Sequence, residues 1–180
     1  MNFPSDTKNR YKLEVQDYWD LKSSPNEIIG SSNQKIIYTE KIHGNRETLN
    51  EIKIMDIDGS EKHFVTDNKY NKRFVNFSPN GLYITYDLYF DPGNTDTYDI
   101  YLSKWNGSGV INLTNNQNRV VYNIQPQFGP HNEKVFFLSY SLPSDENFTN
   151  IMSVNIDGTN LISLTPSGSF ESVEFIKDDY

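Results

Sequence analysis

Two carboxylates one residue apart, Asp56 and Asp58 in "IMDIDGS" (54–60), form the pair in this chain best placed to hold a cation. A calcium loop built on them would need oxygen ligands at several more positions and a bidentate Glu at its end. Nucleophilic catalysis has less to draw on: there is no Gly-x-Ser-x-Gly elbow, and His43, His63 and His131 are the only imidazoles for a triad or a zinc site. Neither Gly-x-x-x-x-Gly-Lys nor Gly-x-Gly-x-x-Gly occurs, and "WNGSG" (105–109) reads as a hairpin turn and not as a phosphate cradle. Recognition chemistry is better supplied. Tyr70, Arg73, Tyr89, Phe90, Tyr98, Arg119, Tyr122 and Phe148 are of the types that anchor protein interfaces. Which of these residues can act depends on the elements that carry them.

The 180 residues suffice for one well-buried domain, and 36 % hydrophobic with 14 % aromatic residues predicts a folded core. A formal net charge of -8, from 16 basic and 24 acidic residues, argues against a nucleic-acid partner, because phosphate backbones are held by clustered Lys and Arg. With no cysteine, neither disulfides nor thiolate metal sites contribute. The amino terminus lacks the apolar run of a signal peptide. No stretch approaches the roughly 20 apolar residues that span a bilayer, so no membrane insertion is expected.

The elements repeat. With Gly59, Gly107 and Gly158 in register, 48 and 51 residues apart, "MDIDGSEKHFVT" (55–66), "SKWNGSGVINLT" (103–114) and "VNIDGTNLISLT" (154–165) align without a gap. Upstream, Ile52, Ile100 and Ile151 coincide, as do Tyr38, Tyr86 and Phe137 within "KIIYT", "YITYD" and "KVFFL", and then Ile29, Phe77 and Phe128. Each unit holds four short runs rich in Ile, Val, Tyr, Phe and Thr, separated by Asp-Gly, Asn-Gly or Pro-Asn-Gly, which predicts strands joined by hairpins. In this register Asp56 becomes Lys104 and Asn155, whereas Asp58 becomes Asn106 and Asp157. The turn former persists and the carboxylate pair does not, so no catalytic, cofactor or metal residue is assigned.

Four antiparallel strands per unit of about 50 residues, in tandem, read as β-propeller blades. The units resemble the TolB-like propeller repeats, relatives of WD repeats. "FSPNG" (77–81), "DIYL" (99–102), "NGS" (106–108) and "NLT" (112–114) carry the likeness, with "IMDIDGS", "NIDGT" and "SLT" in the other units. The resemblance covers residues 26–176 and departs at "IGSSN" and "GPHNE", where the Ser-Pro-Asp-Gly turn has drifted. It implies an all-β fold with three four-stranded blades at 26–66, 74–114 and 124–165. A fourth begins at 170–180, and a tail or extra strand occupies 1–22. Rings of this family carry six or more blades, so an incomplete ring is expected. Either the chain is part of a longer one, or a homodimer completes the ring, with Ser172–Ile176 lending a strand to a partner blade. The resemblance also implies a bacterial cell-envelope setting.

In such blades the second-to-third-strand loops and the connections between blades share one face, which here holds the long segments 40–50, 67–73, 87–98, 115–123 and 139–150. Long loops at one end of a rigid scaffold are where binding residues concentrate. The eight anchors fall there, with Arg46, Lys72, Asp91, Asp96, Asp145 and Glu146 as further polar groups. The expected function is a non-catalytic scaffold that binds a protein or peptide through this face. The alternative is the propeller portion of an enzyme, beside a serine peptidase domain or as the scaffold of a polysaccharide lyase or glycosidase.

Overall fold

Asp58-Gly59, Asn106-Gly107 and Asp157-Gly158 close three hairpins in one way. In the computed structural model, which describes residues 35–43, 48–67, 69–90, 97–115, 121–141 and 149–166, the three glycines have φ of 83°, 82° and 81°. The Asx side-chain oxygen of each turn accepts the amide N–H two residues on, from Ser60 at 2.9 Å, Ser108 at 3.1 Å and Thr159 at 2.9 Å, and the hydroxyl of the same residue. The Ser60 and Thr159 hydroxyls, followed by their amides, hold the Asp58 and Asp157 carboxyls below the usual range. The acidic groups at these turns serve the backbone.

Blade 1 is an antiparallel sheet of β1 (Lys35–His43), β2 (Thr48–Asp56) and β3 (His63–Phe64). Blade 2 comprises β4 (Lys72–Phe77), β5 (Tyr83–Phe90), β6 (Thr97–Lys104) and β7 (Ile111–Asn112). Blade 3 comprises β8 (Val121–Phe128), β9 (Lys134–Ser141), β10 (Asn150–Asn155) and β11 (Ile162–Ser163). One parallel bridge, Tyr98 of β6 to Tyr122 of β8, joins blades 2 and 3 into an eight-stranded sheet. The strand expected near Ile29, the tail 1–22 and the segment 170–180 lie outside the described residues. Among the described residues the ring is not closed, and no helix is long and apolar enough to cross a membrane.

The core lies between blades. Ile52, Ile54 and Val65 of blade 1 meet Val75, Ile84, Tyr86 and Leu88 of blade 2. On the other side, Ile100, Leu102 and Leu113 of blade 2 meet Phe128, Val135, Phe137 and Val154 of blade 3. The period of two along β5 explains how one strand serves both sides: Ile84, Tyr86 and Leu88 face blade 1, while Asp87 faces blade 3, where it accepts the Gln125 N–H. Each blade also carries a threonine clasp. The hydroxyls of Thr66, Thr114 and Thr165 accept the N–H of Ile52, Ile100 and Ile151 at 3.2, 3.1 and 3.0 Å. The Thr66 and Thr114 hydroxyls in turn donate hydrogen bonds to the carboxylates of Glu51 and Asp99, each at 2.7 Å.

Where β4 begins, Lys72 is fully buried, and its ammonium donates to both carboxylate oxygens of Glu51, at 2.8 and 3.0 Å, and to the Asp67 carbonyl. The sequence placed Lys72 among loop cations available to a partner; the structure corrects this, because the side chain turns into the junction of blades 1 and 2. Beside it the Asn50 N–H donates to the Asn71 side chain at 2.9 Å. The inner strands β4 and β8 carry matching irregularities, between Arg73 and Asn76 and between Ile124 and Gln127, with left-handed backbone at Phe74 (φ 49°) and Gln125 (φ 55°).

Lys72→Met leaves the Glu51 carboxylate buried without its counter-charge, and is expected to cost about 3–5 kcal/mol in urea unfolding. Adding Glu51→Leu is expected to recover most of that loss. A second expectation uses the repeated hairpins. A Cβ at Gly107 would lie 2.0 Å from the Val65 carbonyl oxygen, whereas at Gly59 and Gly158 it meets nothing within 4 Å. Alanine at any of the three costs about 1–2 kcal/mol for its backbone conformation. Gly107→Ala is expected to cost at least about 1 kcal/mol more, as a lower urea midpoint, because blade 2 must back away from blade 1.

Candidate functional site

Tyr89 is the penultimate residue of β5 and Tyr98 the second of β6, so the hairpin register sets them directly opposite each other. The parallel bridge sets Tyr98 beside Tyr122, and the β8–β9 register sets Tyr122 opposite Tyr140. Four tyrosines on four neighbouring strands of the sheet, β5, β6, β8 and β9, thus form one row. Ring centroids are 5.0 Å apart for Tyr89–Tyr98, 5.3 Å for Tyr98–Tyr122 and 4.9 Å for Tyr122–Tyr140, the last pair being parallel within 5°. These are favourable aromatic separations. All four rings are half-buried, at the long-loop ends of their strands.

Arg73 completes the group. Opposite Asp87 in the β4–β5 register, its guanidinium carbon lies 4.1 Å from the centre of the Tyr98 ring, while its Nε donates to Asp87 Oδ1 at 3.1 Å. Asp87 is buried, and its second oxygen accepts the Gln125 N–H at 3.3 Å. Burial pushes the Asp87 carboxyl up to about 6, against the opposing pull of Arg73 and of the Gln125 amide. Arg73 therefore holds a fixed cation over the row, oriented by a carboxylate and a ring.

The structure brings together Arg73, Tyr89, Tyr98 and Tyr122 of the residues singled out by sequence. Tyr70 is exposed on the connection between blades 1 and 2, an electrostatic neighbour of Tyr101. Arg119 and Phe148 lie outside the described residues, as does the side chain of Phe90. Sequence reasoning missed Tyr140 and Asp87. The repeat held a signal for the first, since Tyr140 occupies in blade 3 the place of Tyr89 in blade 2. His63 is exposed, with Nδ1 2.8 Å from the Glu61 carbonyl, and His131 is exposed in the β8–β9 turn. Among the described residues no three His, Asp or Glu side chains gather as a metal site.

Antiparallel blades whose apolar faces meet one another, with short turns at one end and long loops at the other, define a β-propeller. In fold it is similar to the propeller regions of three solved structures. A putative TolB from Agrobacterium tumefaciens matches with a TM-score of 0.57 and 21 % identity over 74 % of this chain and 46 % of that one. TolB from Acinetobacter baumannii matches with 0.55 and 18 % identity over 78 % of this chain and 32 % of that one. An acylaminoacyl peptidase from Pyrococcus horikoshii matches with 0.52 and 12 % identity, over 72 % of this chain and 23 % of that one. The chain spans less than half the length of each, and at these identities the likeness is one of fold. No protein-family model and no curated protein sequence matches it.

The Asp87 carboxyl has a folded value of about 6 against an ordinary 3.8, so the folded state keeps a proton that the unfolded chain has already lost. Its contribution to stability is complete below the unfolded value and disappears as pH rises through the folded one. Asp87→Asn is expected to remove this decline, flattening the urea midpoint between about pH 4 and about pH 7 by the equivalent of roughly 1–3 kcal/mol.

Proposed function

We propose that the chain is a non-catalytic propeller module that binds a protein or peptide at the long-loop end of blades 2 and 3. The observation that carries this reading is the tyrosine row with Arg73 set over it. Tyrosine offers a large contact area at a small entropic cost, and arginine is the cation most common among residues that dominate binding energy. Arg73, with a side chain 32 % exposed, is held by its Nε on Asp87 and by the ring beneath. A carbonyl or carboxylate of a bound chain would approach its outer edge, and the row would pack against the bound side chains. The likeness to TolB supports a bacterial cell-envelope setting for this activity. An enzyme portion, the other reading, draws on fold alone.

Peptides selected by phage display on the wild-type chain provide the test. Tyr89→Ser and Tyr122→Ser, each retaining the wild-type circular dichroism spectrum, are expected to weaken binding of the selected peptides at least about tenfold, equivalent to about 1.4 kcal/mol. Peptides that bind both variants as tightly as the wild type would move the site off the row. Hydrolysis of the peptides by the chain would replace the scaffold reading with the enzymatic one.

A further inference from the structure

The repeat supplies an internal control for exposure. Val65, Leu113 and Leu164 hold the same place in their blades, each donating its N–H to the carbonyl of the clasped isoleucine, Ile52, Ile100 and Ile151, at 2.9, 2.8 and 2.8 Å. Val65 is 9 % exposed and Leu113 3 %, because blades 2 and 3 cover them. Leu164 is 48 % exposed. The hairpin position that does the covering is equally well defined. Ile57, Trp105 and Ile156 each directly follow the last residue of a strand, Asp56, Lys104 or Asn155, whose N–H donates to the carbonyl of Ser60, Ser108 or Thr159 across the turn. Trp105 packs on the cluster that holds Val65, and Ile156 on the cluster that holds Leu113. Ile57 is 50 % exposed. Outer-rim residues do not show this contrast: Val110 and Leu161 are equivalent and both exposed, as are Ile111 and Ile162.

Among the described residues, one apolar plug and one apolar socket are thus left over on the outward faces of blades 1 and 3. We propose that they mate between molecules: the Ile57 hairpin of one copy seats on the Leu164 face of blade 3 of another, repeating a third time the step that Trp105 and Ile156 make within the chain. The occupant is a second copy because the chain itself carries the matching plug, at the position that already fills this kind of socket twice. The contact is head to tail, and it closes into a ring or extends as a filament according to the rotation accumulated per copy. It does not depend on the tyrosine row.

Sedimentation equilibrium of the chain over a wide concentration range tests this. The wild type is expected to self-associate, and Ile57→Asp and Leu164→Arg are each expected to weaken association at least about tenfold, while Val110→Arg on the outer rim leaves it unchanged. Mixing the Ile57→Asp and Leu164→Arg chains is the decisive measurement. The first keeps an intact socket and the second an intact plug, so the mixture is expected to recover complexes that neither variant forms alone, which a folding defect would not produce. A wild-type chain that stays monomeric overturns the proposal, as does association that either substitution leaves intact or a mixture that fails to recover.

Discussion

A propeller blade has two broad faces, and it cannot cover them by itself. The packing between the blades of this chain follows from that constraint. Ile37, Ile52, Ile54 and Val65 of blade 1 are buried in one cluster with Val75, Ile84, Tyr86 and Leu88 of blade 2. The alternation of β5 then obliges the intervening residues to face the next blade. Burial at one junction decides what chemistry is presented at the following one, and a polar residue such as Asp87 is carried inside by its apolar neighbours in sequence.

The two junctions meet this demand with different side chains at matching places. Between blades 1 and 2, the Asn50 amide bonds Asn71 and the ammonium of Lys72 sits between the two oxygens of Glu51. Between blades 2 and 3, the places of Asn50 and Asn71 are taken by Tyr98 and Tyr122, whose rings touch. A buried ion pair must recover a large desolvation cost and tolerates little displacement. The tilted Tyr98 and Tyr122 rings sit where β6 and β8 pair, and both remain half-buried. Beside their apolar clusters, the first junction thus adds a buried ion pair and the second a pair of aromatic rings.

Arg73 shows how the same packing fixes the orientation of one side chain. Its position opposite Asp87 comes from strand register, its contact with Tyr98 from the adjoining strand, and the third contact on Asp87 from the left-handed backbone at Gln125 in blade 3. Two neighbouring strands, β5 and β6, hold the guanidinium directly, and β8 of blade 3 holds the Asp87 carboxylate that orients it. Side chains constrained from this many directions lose little further freedom on binding, which is the physical advantage of a rigid platform over a loop.

The sequence by itself determined the strands, their turns and their grouping into blades, because these depend on local rules: alternating apolar residues, glycines able to hold φ near 80°, and an Asx oxygen two residues before a waiting N–H. It also indicated the end of the blades at which Arg73, Tyr89, Tyr98 and Tyr122 would lie. Only the tertiary structure decided that Lys72 points inward while its neighbour Arg73 stays partly outside, that Asp87 is buried against Arg73, and that Tyr140 finishes a row begun by Tyr89. Those outcomes depend on inter-blade register and on a one-residue irregularity in β4. Contacts between residues 14, 21 and 38 positions apart leave no local periodicity in the chain from which to read them.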